Sequence, residues 1–479
     1  MVTDEHKTKL AALFLGLAFV AINSLLVTKN ILSFSLLPVI LLLVLGVVLV
    51  PVKIFYLVIA LAPLSVPLSE FLPGRSFDLW LPTEPLIFAL LLLTAIHLIQ
   101  ERRFDTGLFG NPLFWAMLFY LGWLVITCIS SELPLVSVKY TVLRIGYIAF
   151  FFYIPFVLFK ATPQNFTKYI AFYITGLTVV VAITLYRQAR IGIFDKFAAV
   201  GTCNPFYTDH TSYGAALAFL IPVVVAWAAS TKTLWQKILM GILILVFTVA
   251  LVLSYSRAAW LSLLVALLIW VVWLMKLRFR TIAILSVSII AIGFGLRGQL
   301  AQWVGKNQTV STGSLSDQLL SVGNITTDVS NVERLNRWTS ALRMFRERPF
   351  LGWGPGTYQF TYAPFQPSQF FTVESSNLGA KGNAHSEYLG LLAEAGWPAT
   401  MGYIAILLVA FIMGFRLLGK LPLDFPYRKL LLGVLLGLST YAFHGFLNNF
   451  LDMDKIAALF WGYLAMIAAM NTAYRTSSS

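Results

Sequence analysis

The chain has 479 residues, 59% of them hydrophobic and 11% charged, with a mean hydropathy of +0.82. No soluble domain of this size carries so little charge, and repeated apolar runs of about 20 residues indicate an all-α, polytopic transmembrane bundle. The formal charge of +14 does not point to nucleic acid, because the basic residues lie between apolar spans, and the two cysteines, Cys128 and Cys203, give neither a zinc spacing nor a disulfide framework.

Fourteen spans are expected, at about 10–28, 31–50, 53–70, 84–100, 112–130, 138–159, 165–186, 211–229, 234–253, 257–275, 280–296, 386–415, 428–447 and 456–472. The first follows Lys7 and Lys9 in the manner of a signal peptide. It lacks a small-residue cleavage site and runs straight into a second span, so it reads as an uncleaved helix. The chain divides into residues 1–296, with about eleven spans, a long loop at 297–385 that contains helices and site residues, and residues 386–479, with about three spans. With the N-terminus inside, seventeen of the 34 basic residues fall in inner segments and nine in short outer ones. Long loops translocate largely regardless of charge, so this bias sets both termini in the cytoplasm and the long loop outside.

Unusual residues then collect at the outer ends: Arg144, Arg187, Arg190, Lys196, Asp209, His210, Arg257, His444, Asn448, Asn449 and Asp452. Ionisable residues at membrane depth are costly and are functional candidates. Arg257 is the sharpest, since it interrupts the apolar context of SYSRAAW; its plain alternative is an interfacial anchor. In the long loop, residues 331–348 have helical spacing, with Leu335, Trp338, Ala341, Leu342 and Phe345 on one stripe. At roughly 100° per residue, Arg334 lies within about 40° of the stripe's centre, while Arg343, Arg346 and Arg348 read as a solvated face. Arg334 is therefore aimed at whatever the helix covers, or is a snorkelling or ion-paired structural residue. Pro349 ends the helix, and the glycines of GWGPG form a tight turn with positive φ and close backbone approach. His385 stands at the mouth of the next span.

Arginine forks suit phosphate and pyrophosphate oxygens. A helix bundle admits a lipid from the side, and a histidine of ordinary pKa can take a proton from a hydroxyl. Together these residues suggest an enzyme acting on a polyprenyl-pyrophosphate substrate at the outer face. For His385 alone, a hydrogen-bonded structural role is the plainer reading. Walker and HExxH patterns are missing, and a metal at His210 or His444 with Asp209 or Asp452 is a minor alternative.

SYSRAAW at 254–260, RLNRWTSALRMFRERPFLGWGPGTY at 334–358 and NAHSEYLGLLAEAGWPA at 383–399 resemble, in order, the O-antigen ligase and polymerase superfamily of bacterial inner-membrane glycosyltransferases. The resemblance covers roughly residues 200–470. Ser386 stands where the family often has Asn, and fourteen spans exceed the twelve of its best-known ligases. The resemblance implies a glycan donor on undecaprenyl pyrophosphate and a hydroxyl acceptor, such as lipid A-core in an O-antigen ligase. A polymerase or a protein O-glycosyltransferase would share the site. It implies that Arg257 and Arg334 hold the pyrophosphate, that His385 is the general base for an inverting transfer, and that neither metal nor other cofactor is needed. Arg337, Arg187 and Arg190 are weaker candidates for the same pocket. Glu387 and Tyr388 are candidates to orient the histidine or the acceptor, with packing an equal reading of Tyr388. The stretch 361–382 is expected to shape the acceptor groove, its aromatics stacking on sugars or serving as a lid or anchors. A transporter, which should show internal repeats and charges at the midplane, and a non-catalytic assembly protein are the readings from other classes.

Overall fold

The computed structural model describes residues 2–29, 33–71, 79–101, 105–276, 329–370 and 382–478. It is an all-α bundle, with one two-stranded antiparallel ribbon, β1 (Val66–Pro67) against β2 (Trp80–Leu81), among the described residues. The helices are α1 (Val2–Thr28), α2 (Leu37–Leu49), α3 (Pro51–Leu61), α4 (Thr83–Glu101), α5 (Pro112–Ile129) and α6 (Pro134–Ile148), then α7 (Ile154–Ala161), α8 (Gln164–Ile191), α9 (Lys196–Thr202), α10 (His210–Ser230), α11 (Leu234–Leu253) and α12 (Arg257–Leu274). Beyond the long loop come α13 (Val329–Glu347), the single turn α14 (Tyr358–Thr361), α15 (Glu387–Lys420), α16 (Arg428–His444) and α17 (Asp454–Ser478). Nine helical stretches among the described residues, with α6 and α7 continuous as Pro134–Ala161, are long and apolar enough to cross a membrane, and Gly16–Thr28 within α1, Phe34–Leu49 and Pro51–Leu64 are shorter apolar stretches. With α16, they account for every expected span except 280–296, which lies outside the described residues.

α17 is the central post: 83% of its apolar window is buried inside the protein. Small residues let neighbouring backbones approach closely, as helix association in lipid requires. A Cβ on Gly437 of α16 would meet the Phe219 carbonyl of α10 at 2.7 Å, and one on Gly433 would meet Pro222 O at 2.9 Å. α15 is two helices joined at a kink, because Gly396 has φ 75° and ψ 179°. Neither cysteine forms a disulfide.

Loop contacts sort the helix ends into two faces, as alternating spans require. On one, Glu132 N donates to Trp353 O (3.1 Å), Glu387 N to Gly445 O (2.8 Å) and Lys455 Nζ to Ser65 O (3.1 Å). On the other, Lys160 pairs with Asp105 (2.8 Å), Asn111 donates to Ala468 O (3.3 Å) and Lys429 to Ala229 O (2.6 Å). All the expected site residues belong to the first face.

Candidate functional site at one end of the bundle

α13 lies across this face, docked on α15. Its covered side differs from the expected apolar stripe. Glu333, Asn336, Arg337, Ser340, Ala341 and Met344 are buried, while Leu342 is exposed and Trp338 only half-buried. The surface it meets is mixed: Ala341 and Met344 pack with Tyr358, Tyr362, Ala384 and Ala393, while polar side chains take polar partners. Arg337 pairs with Glu333 (2.6 Å), Asn336 donates to Gln366 (2.8 Å), and Ser340 Oγ donates to the Asn336 carbonyl. Arg343 and Arg346 are exposed as expected. Arg348 is not free: it pairs with Glu132 and lies 4.2 Å over the Trp353 ring, tying α13 to the α5–α6 loop.

The glycine turn behaves as its sequence demands. Gly352, Gly354 and Gly356 all have positive φ, and Trp353 N and Gly354 N donate to Ala393 O (3.1 Å) and Glu394 O (2.7 Å) of α15. A Cβ on Gly352 would come within 2.3 Å of the Glu394 backbone. The turn thus closes on the kinked segment of α15, where Trp397 N donates to Pro349 O (3.0 Å).

His385 precedes α15, whose N-cap Ser386 accepts from Leu389 N. The histidine has φ 48°, a left-handed conformation that a side chain bearing a Cβ rarely takes. Three contacts hold it there. Asn383 Oδ1 accepts from His385 N (2.9 Å), Trp338 Nε1 donates to His385 O (3.2 Å), and Arg337 donates to Asn383 O (3.3 Å). Asn383 also donates to Asn449 O (3.4 Å). Sequence reasoning missed Asn383, although an Asn two residues ahead of a constrained backbone N–H is a recognised turn former.

Arg334 is one helical turn before Trp338, on the same side of α13, so it stands about 5–6 Å along the helix from the residue that holds His385. Its Nε donates to Leu447 O (3.3 Å) and its Nη1 to Asn331 Oδ1 (3.3 Å). Burial is the first cause that pushes the His385 imidazole down, to about 4, and the Arg334 charge is the second. The imidazole is therefore neutral at pH 7, far more completely than the ordinary value expected from sequence would make it.

Arg257 is the first residue of α12, so its charge sits on the positive end of an 18-residue helix whose first N–H groups have no helical acceptors. The neighbouring Ser256 Oγ is buried without a partner among the described residues. The first turn of α12 packs beside His444, which is within electrostatic reach of Arg334. The first turn of α12, which carries Arg257, and Arg334 of α13 thus adjoin the end of α16, and the His385 segment reaches the α16–α17 loop through Asn383. Below them, an apolar cavity of about 880 Å³ runs between α10, α11, α12 and α16, from Trp260, one turn into α12, to Lys429 at the opposite face.

The other expected residues fall elsewhere. Arg337 is consumed by Glu333, by the Asn383 carbonyl and by the Tyr362 ring at 4.5 Å. It positions the His385 segment. Glu387 does not face the histidine: its Oε1 accepts from Tyr441 OH (2.5 Å), Phe450 N (2.9 Å) and Leu451 N (2.9 Å). With Arg144, which pairs with Asp452 (2.5 Å) and donates to Leu451 O (3.2 Å), it fixes the loop that offers Leu447 O to Arg334. Tyr388 packs, stacked 4.2 Å from Phe446, with its hydroxyl donating to Ala442 O. Arg187 and Arg190 line a separate groove at the ends of α8 and α9. His210 Nδ1 lies 2.7 Å from Ser254 O and His444 Nε2 3.1 Å from Asn448, and no group of three metal-type ligands occurs among the described residues. Of the stretch 361–382, residues 371–381 lie outside the described residues, and Tyr362 and Gln366 pack against α13.

The family model described as O-antigen ligase matches residues 240–404. Over these residues the chain is similar to the O-antigen ligase family. The match covers roughly a third of the chain, from α11 to just past the kink of α15, and takes in Arg257, Arg334 and His385. The loop that buttresses Arg334 lies beyond it. Together with the long apolar helices, the match suggests a multi-pass membrane protein. No curated protein matches the chain.

Proposed function

We propose that this protein acts as an O-antigen ligase family member and transfers a glycan from undecaprenyl pyrophosphate to an acceptor hydroxyl at the outer face of the bacterial inner membrane. The acceptor is lipid A-core on the ligase reading, or a growing glycan or protein on the polymerase and O-glycosyltransferase readings. The observation that carries the proposal is the half-buried His385, held in a left-handed backbone conformation by Trp338 of the helix that also carries Arg334, whose charge acts on the imidazole.

In this reading the isoprenoid chain lies in the apolar cavity, with its pyrophosphate raised to the level of Arg257 and Arg334. The acceptor oxygen attacks the anomeric carbon as the bond from that carbon to the pyrophosphate oxygen breaks. His385 takes the acceptor proton, and the electron pair of the broken bond leaves on the pyrophosphate. The developing charge is met by two guanidiniums and by the N-terminus of α12, so these residues supply the neutralisation that a metal ion would otherwise give. Attack opposite the leaving group inverts the anomeric centre. Residues 297–385 form the outer loop of this scheme, between membrane segments 1–296 and 386–479.

The chemistry is tested by reconstituting the purified protein with an undecaprenyl-pyrophosphate glycan and a panel of acceptors. Transfer to at least one acceptor, lost in His385→Ala while donor binding persists, is expected. A wild-type protein that binds no donor would overturn the reading and bring the transporter alternative forward. Orientation is tested with single cysteines, in a background lacking Cys128 and Cys203, at Phe350 on the site face and at Leu423 on the other, both exposed. An impermeant thiol reagent added outside should label the first and not the second; the reverse would move the site to the cytoplasm.

A further inference from the structure

The groove that holds Arg187 and Arg190 is separate from the Arg334–His385 centre and plays no part in the scheme above. α8 has 28 residues, about 42 Å at 1.5 Å per residue, against a hydrocarbon core of about 30 Å. Its ends therefore project into the headgroup layers, and Tyr186–Ile191 forms the end on the site face. There the chain reverses into α9, leaving a groove of about 600 Å³ whose lining includes Tyr186, Arg187, Arg190, Asp195, Phe197 and Thr202.

Two features of the groove point to one kind of ligand. The first is the arginines. They are i and i+3 on α8, on one side of the helix, and both are exposed. Arg187 spends its Nη1 on the carbonyls of Thr202 and Asn204, and Arg190 reaches the Tyr186 hydroxyl at 3.5 Å. Neither is paired with a carboxylate among the described residues. Asp195, the one acid in the lining, is committed as the N-cap of α9, accepting from Phe197 N (2.8 Å). The second feature is the rim. Ile191 (67% exposed), Phe194 (67%) and Phe197 (78%) are apolar and open at the depth where headgroups meet acyl chains. A soluble phosphate compound would gain nothing from such a rim, whereas a lipid phosphate would meet both features at once.

We propose that the Arg187–Arg190 groove binds the phosphate of a membrane lipid in the outer leaflet. Resting on the transferase reading, that lipid is the phosphate-bearing anchor of the acceptor. The groove adjoins the Arg257 turn, since Gln188 donates to Leu253 O (3.1 Å) and Tyr255 OH to Phe194 O (2.5 Å). A lipid held here presents its headgroup towards the catalytic face.

The test places the full chain in phosphatidylcholine nanodiscs doped with phosphatidic acid carrying a photoactivatable acyl chain, or with the matching diacylglycerol, and maps crosslinks by mass spectrometry. Phosphatidic acid should label residues 186–202 on the order of tenfold more than diacylglycerol, the discrimination worth one strong charge-assisted contact. Arg187→Gln with Arg190→Gln should bring the two probes level, and excess inorganic phosphate should not compete. Equal labelling by both probes in the wild type would reduce the groove to an apolar surface and overturn the proposal. Loss of labelling to inorganic phosphate would overturn it in favour of a soluble ligand. Donor binding measured on the same samples shows whether the double variant is folded. It also separates the two readings: failure of lipid labelling with donor bound removes the groove alone, and failure of donor binding with labelling intact removes the transferase scheme alone.

Discussion

The pH profile of transfer is the most direct probe of His385. Burial and the Arg334 charge lower its pKa to about 4. A general base works in its neutral form, so activity is lost as pH falls through that pKa. An unperturbed histidine at about 6.5 would be about three-quarters neutral at pH 7 and about one-tenth neutral at pH 5.5, an eightfold loss of kcat/KM on the order-of-magnitude arithmetic. At about 4, more than nine-tenths remains neutral at pH 5.5, and kcat/KM stays nearly flat. The bound pyrophosphate adds negative charge beside the imidazole and offsets Arg334, so the pKa rises in the complex and the acid limb of kcat lies at higher pH than that of kcat/KM. A pyrophosphate diester has no ionisation in this window, so both limbs report on the protein. The folded state resists protonation here, so stability also falls as pH drops from about 6.5 towards about 4. Thermal unfolding at each pH separates that loss from the chemistry. The assay is initial-rate transfer in detergent or nanodiscs from pH 4.5 to 8 at constant ionic strength. An acid limb in kcat/KM at or above pH 6, with the protein still folded, would refute the electrostatic account of His385.

Other outcomes follow from the same contacts. Arg257→Ala and Arg334→Ala should each abolish most transfer, and lysine should restore little because it lacks the planar fork; full activity in both lysine variants would mean that charge alone suffices. Asn383→Ala should lower kcat by about one to two orders of magnitude, as loss of a positioning contact does, while leaving donor KM unchanged. Asn383→Asp, which keeps the acceptor for His385 N, should recover most of it, and identical kinetics in the two variants would deny the positioning role. Gly352→Ala should destabilise the protein severely, because its Cβ would meet α15 backbone at 2.3 Å and the residue has φ 64°. Gly241→Ala, with nothing within 4 Å, is the matched control, and equal melting temperatures for the two would contradict the docking of the turn.

The sequence by itself determined the membrane helices and the glycine turn. An apolar run long enough to span lipid has no other way to satisfy its backbone, and Gly352, Gly354 and Gly356 mark positions where positive φ excludes other residues. It also marked Arg257 as interrupting an apolar context, Arg334 as lying close to the stripe of its helix, and His385 as standing at the mouth of a span. The face that α13 buries was decided only in three dimensions. Apolar periodicity predicts the covered side when the surface beneath is uniformly apolar, and here Ala341 and Met344 meet an apolar cluster while Asn336 meets Gln366. Leu342 faces out, and the buried side mixes Glu333, Asn336, Arg337 and Ser340 with Ala341 and Met344. The partners of the candidate residues were equally hidden. Leu447 O, which accepts from Arg334, and Asn449 O, which accepts from Asn383, are backbone atoms more than 60 residues away, and a carbonyl has no sequence signature. The same holds for the separation of Arg187 and Arg190 from His385: outer arginines look alike along the chain, and only the packing of α8 against α9 gives these two a groove of their own.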